Sequence, residues 1–118
     1  MAIYLSTLDA SGLLKKFDAA INKIEQKGKI TTWEIHPDGK HYTHKASEWK
    51  SKAFLRAVVE NNQLKFNIVA PKNGTVSSLV YAYYHGHLIE TFLSHFDNCF
   101  VNAMSSSYPE SGDIITHK

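Results

Sequence analysis

The sequence predicts an α+β fold. The expected architecture is a two-layer sandwich, with an antiparallel sheet of about four strands carrying two helices on one face. Three observations predict it. Apolar residues recur at helical spacing in one segment near the start of the chain and in another near its end. Between them lie two pairs of runs rich in β-branched and aromatic residues, each pair joined by turn formers. One of these runs alternates apolar and polar side chains, the habit of a sheet buried on one face and wet on the other.

The first helix rests on Leu13, Leu14, Phe17, Ala20, Ile21 and Ile24, whose spacing places them on one stripe. Asp9 either answers Ser6 in a capping box or is itself the N-cap. Gly28 is a natural stop, so the helix is expected over residues 8–27. The residues before it read as strand or coil.

The run Ile30–Ile35 favours a strand and leads into His36-Pro37-Asp38-Gly39-Lys40, a strong turn signal, with a return strand over residues 40–45. The Pro-Asp-Gly order favours a type I turn with a bulge at Gly39. That register pairs His36 with Lys40 and Ile35 with His41. A two-residue Asp-Gly loop would instead pair His36 with His41. Only this second register sets two imidazoles side by side, with Glu34 two residues along the same strand face. Residues 46–51 read as a loop or a single helical turn. A second hairpin follows, with strands over 54–59 and 64–70 around Asn61-Asn62-Gln63. In its second strand Leu64, Phe66, Ile68 and Ala70 alternate with Lys65 and Asn67.

The second helix is expected over residues 75–100. Leu79, Ala82, Gly86, Ile89, Phe92, Leu93, Phe96 and Phe100 share one apolar arc, with Thr91 opposite. Glycine weakens a helix, so Gly86 within that arc suggests close approach to a neighbour. Val101–Met104 can add a short edge strand. Residues 1–104 form one α+β domain on this reading. Residues 105–118, opening with the turn formers Ser105 to Gly112, form a flexible C-terminal tail.

Composition bounds the function. The 118 residues are 43% hydrophobic and 20% charged, which is globular rather than disordered. One cysteine excludes an internal disulfide and any multi-cysteine zinc site. No apolar run approaches the roughly 18 residues a membrane helix needs, and no leader pattern opens the chain. A cytoplasmic location is expected, with no membrane partner. The net charge of +2 is too small to indicate nucleic acid by itself. Its distribution is uneven. Residues 1–72 hold twelve bases against seven acids, and residues 73–118 hold one base against four acids. Such polarity favours head-to-tail association or steering of a charged partner.

Three surfaces could carry chemistry. His85 lies on the apolar side of the second helix with Tyr81 and Tyr84 beside it. Together with Trp33 they are the candidate ligand-binding residues of a pocket between helix and sheet. Lys45, Lys50 and Lys52, with Tyr42 and Trp49 among them, form a candidate interaction surface. Lysines that neutralise phosphates and aromatics that stack on bases hold single strands, so residues 40–56 also carry the nucleic-acid reading. The hairpin histidines His36, His41 and His44 are zinc-ligand types, but the favoured turn register separates them and no metal is assigned.

No catalytic residue or cofactor is assigned either. Lys72-Asn73-Gly74-Thr75 lacks the earlier glycines of a phosphate loop, and Ser105–Ser107 lack the setting of a nucleophile elbow. Cys99 has no base nearby in sequence to activate it. The expected function is a non-catalytic interaction module that binds a protein partner and can self-associate. The alternatives are a small-molecule pocket or enzyme around His85, and single-strand binding through residues 40–56.

Overall fold

The computed structural model describes residues 1–117. Its element order is β1 (Ala2–Ser6), α1 (Ala10–Ile21), β2 (Trp33–Ile35), β3 (His41–His44), β4 (Phe54–Glu60), β5 (Gln63–Val69), β6 (Gly74–Thr75), α2 (Ser78–Phe96), β7 (Asn102–Ser105) and β8 (Thr116–His117). Six strands form one sheet in the order β2-β3-β4-β5-β1-β7, every neighbouring pair antiparallel. Both helices cover one face, so the fold is α+β with a sheet-and-helix two-layer arrangement. The sheet has two strands more than the four expected. They are β1, inserted between β5 and β7, and β7 itself.

The pairings explain the connectivity. β1 and β2 run in the same direction with three strands between them, so α1 must cross the sheet to join them. Register partners share a face, and on the inner face they form rows. Ile3, Phe66 and Ala57 make one row, and Leu5, Leu64 and Val59 the next. The centre of the core is aromatic. Phe17 of α1 stands 4.9 Å from Tyr42, 4.9 Å from Phe92 of α2 and 5.9 Å from Phe66 of β5. These centroid separations suit tilted and edge-on rings. Tyr42 is buried to its hydroxyl, which donates to the Asp18 carboxylate of α1. Burial and that carboxylate both push its pKa up.

α1 starts where its cap chemistry places it. Asp9 is the N-cap and its side chain accepts from the Gly12 amide at 3.0 Å. Its end comes earlier than expected, at Ile21, and Ile24 is exposed. The chain turns through Gly28 at φ +76° so that Ile30 enters the core, its amide bonded to the Ala20 carbonyl at 3.0 Å. One buried isoleucine thus replaces another.

α2 begins at the Ser77 cap, whose hydroxyl accepts from the Val80 amide. It is rotated from the expected arc. Tyr81, Tyr84, Leu88, Thr91, Phe92 and Phe96 are buried, while Leu79, Ala82, Gly86 and Leu93 are exposed. Nothing lies within 4 Å of a Cβ built on Gly86, so no close approach explains it. The rotation follows the larger payload. Tyr81 and Tyr84 bury whole rings because their hydroxyls find partners, which Leu79 and Ala82 cannot match in area.

Thr91 is buried for a similar reason. Its Oγ1 accepts from Trp33 Nε1 at 3.0 Å and donates to the His87 carbonyl at 2.8 Å. Thr91→Val keeps the shape and strands the indole N–H. It is expected to cost about 1–3 kcal/mol, measured by urea unfolding. A change below half of that range would mean that the indole finds another acceptor.

Residues 105–117, read from their turn formers as a flexible tail, are tied to the fold: Ser105 ends β7, residues 106–113 cross the outer sheet face, and Thr116–His117 pair with Gly74–Thr75. The Asp113 side chain is fully buried. It accepts from Asn67 Nδ2 at 2.7 Å, the Ile68 amide at 3.1 Å and the Glu110 amide at 2.8 Å, and the Met1 ammonium lies 3.1 Å away. Ile114 pairs with Val69 in parallel, filling the place beside β5 that β1 leaves open. Gly112 sits at φ +95°, and a Cβ there would lie 2.6 Å from Asn67 Oδ1. The strap therefore passes closer to the sheet than any side chain allows.

Candidate interaction surface

Among the described residues β7 has β1 on one side and no strand on the other. An edge presents unpaired backbone groups, and proteins shield such edges with charge, proline or short length. The opposite edge, β2, is three residues long and carries Glu34, tied to Lys50 at 2.9 Å. β7 is also short, at four residues, but carries no charge. Residues 98–108 contain no charged side chain and no proline. Val101 is 81% exposed and Met104 59%.

A cleft of about 380 Å³ opens next to this edge, between the start of α1 and the α2–β7 connection. Leu8, Leu13, Phe100 and Val101 give it apolar walls, and Lys16 and Asp9 give it charge. Lys16 Nζ donates to Cys99 Sγ at 3.3 Å. The base that the local sequence lacks comes from α1, across the fold. An extended segment laid along β7 would find side-chain room in this cleft, as strand addition requires.

None of the candidate ligand residues lines this cleft. Trp33 and Tyr84 meet at 5.5 Å, and the Tyr84 hydroxyl lies 3.1 Å from Thr43 Oγ1 and donates to the Trp49 carbonyl. Tyr81 points the other way, donating to the Ser106 carbonyl at 2.8 Å, and burial pushes its pKa up to about 12. His85 is half-buried. It stacks on Tyr81 at 5.0 Å, with Nδ1 3.1 Å from the Tyr81 carbonyl.

The aromatics of the basic segment are engaged as well. Tyr42 is in the core, and Trp49 is half-buried and stacked on Tyr83 at 3.9 Å and 12°. Lys45, Lys50 and Lys52 are exposed around them.

The first hairpin takes the register that the turn residues disfavour. Trp33 pairs with His44 and Ile35 with Tyr42, which sets His36 opposite His41. Asp38 explains the change. Its Oδ1 accepts from the Lys40 amide at 2.8 Å and from the His41 amide at 3.2 Å, which closes the Pro37–Lys40 turn in this register. His36 and His41 lie side by side at 6.5 Å on the outer face, and His41 Nδ1 is 2.7 Å from the same carboxylate. His44 faces the core instead. Among the described residues no group of three or more His, Cys, Asp or Glu is placed to hold a metal ion. No described helix is long and apolar enough to cross a membrane.

No family model, curated protein or solved structure matches the chain.

Proposed function

We propose that the protein is a non-catalytic interaction module that binds by strand addition at the free edge of β7, with a second copy of the chain as the first partner. One observation carries the reading: a sheet edge with no charge or proline to guard it, flanked by exposed Val101 and Met104 and by an apolar cleft. Antiparallel pairing of β7 with its own copy is self-complementary, the form that a twofold interface requires. The uncharged stretch around β7 sets no like charges against each other across such an axis. A partner protein that offers an extended apolar segment meets the same surface.

Met104→Lys places on the edge the charge that natural edges use as a guard. Light scattering behind size-exclusion chromatography is expected to show a wild-type mass that rises with concentration. The variant should need at least about tenfold more protein to associate, a loss of roughly 1.4 kcal/mol. A wild-type chain that stays monomeric at every concentration removes the second copy as partner. Equal association of both forms places the interface elsewhere.

A further inference from the structure

His44 is 4% exposed and sits where β2, β3, α2 and the 45–52 loop meet. Its Nδ1 accepts from the Ala46 amide at 3.1 Å, so the neutral ring carries its proton on Nε2. That Nε2 is buried without a partner. His87 of α2 lies 5.2 Å away, ring to ring, and its Nδ1 is buried and unpartnered too. Each of the two facing rings thus holds one buried nitrogen that meets no hydrogen-bond partner.

Aromatic rings close the site. Trp33 stands 5.3 Å from His44, Tyr83 5.1 Å and Tyr84 6.1 Å. Tyr83 also stacks on His87 at 4.1 Å and on Trp49 of the loop, making one continuous pile from α2 to the loop.

We propose that His44, packed against His87, is a proton-operated latch: uncharged, it holds the 45–52 loop against α2, and its protonation lets the loop go. A proton on His44 Nδ1 would face the Ala46 N–H, donor against donor. It would also put a charge among aromatic rings, with the Glu90 carboxylate on the far side of His87. The groups facing the pair are few. From α2 they are the neutral phenols Tyr83 and Tyr84 and the exposed Glu90, 4.0 Å from His87 Nδ1. From β2 it is the Trp33 indole, and from the loop the backbone of Ala46 with the stacked Trp49. Lys50 is occupied on Glu34.

Burial first, and His87 second, lower the pKa of His44 below the ordinary histidine value. The opened loop therefore takes the proton more readily than the closed one. The latch is complete above about pH 6.5 and weakens as pH falls below it. What it releases is the segment carrying Lys45, Trp49, Lys50 and Lys52, so acid would present an aromatic, basic surface that neutral pH keeps folded down. This inference does not depend on the β7 edge.

Hydrogen exchange of the full chain, corrected for intrinsic rates, tests it. The Ala46, Trp49 and Lys50 amides are expected to lose protection progressively below about pH 6.5, by at most about tenfold per pH unit for one proton, while β5 amides hold theirs. His44→Asn offers Oδ1 to the Ala46 amide and cannot titrate, so its loop protection should stay flat. Should that variant fail to fold, nitrogen NMR of wild-type His44 serves. It is expected to show the Nε2–H tautomer at neutral pH and to change in step with loop protection. Protection unchanged between pH 7.5 and 5, loss shared equally by β5, loss persisting in His44→Asn, or His44 titrating with the loop unmoved would each overturn the latch.

Discussion

Asp113→Ala is expected to lower the unfolding free energy by about 3–5 kcal/mol, the range for removing one partner of a buried charged network. The side chain has no exposed surface and answers donors from three parts of the chain: Asn67 and the Ile68 amide on β5, the Glu110 amide within the strap, and the Met1 ammonium. Alanine leaves all four without that acceptor. Asn67 is itself 1% exposed, so water cannot readily take the carboxylate's place. The loss should extend beyond the strap, because Ile114 fills out the sheet beside β5 and the Ile115 carbonyl receives the Val76 amide that leads into α2.

Urea unfolding of the two proteins measures it, with equal slopes showing that both remain two-state. A substitution in a solvated tail stays within about 0.5 kcal/mol of wild type. A result that small would mean that residues 105–117 contribute nothing to the fold, as the sequence reading had it.

That reading shows where local information stops. Helix α1 was legible because its cap and its stripe lie within fifteen residues: Asp9, then Leu13, Phe17 and Ile21, all buried except the cap. The strands of the second hairpin were legible for the same reason, their alternation being complete within one turn and two runs. The strap was not. Ser105 to Gly112 are turn formers whichever way they lead, and Asp113 acquires its meaning only from Asn67 and Ile68, some forty-five residues earlier in the chain.

The first hairpin failed by a single residue. Proline, aspartate and glycine announced the turn, but the Asp38 side chain chose its length by capping the Lys40 and His41 amides. The candidate surface was hidden more deeply still. Val101–Met104 read as a possible edge strand, yet its being the free edge depends on β1 inserting between it and β5. That is a long-range choice which no window of residues records. His44 and His87 show the same limit, since their separation of forty-three residues says nothing of a shared site.

Phe92→Ala separates the two views of α2 by energy. The apolar arc read from the sequence places Phe92 and Leu93 together. The structure buries Phe92 completely, among Phe17 at 4.9 Å, Phe96 at 5.4 Å and Phe66 at 5.8 Å, and leaves Leu93 53% exposed. Truncating Phe92 removes the ring that joins both helices to β5, and the void lies between three elements that cannot all close on it. The expected cost is about 3–5 kcal/mol, against about 0.5 kcal/mol or less for Leu93→Ala on the solvent side. Denaturation midpoints of the pair decide between them. Similar losses would put the helix back on its expected arc, and with it Leu79 and Ala82 against the sheet. A large loss at Phe92 alone requires the rotation that brings Tyr84 to Thr43 and Thr91 to the Trp33 indole, because one turn of a rigid helix moves all of these side chains together.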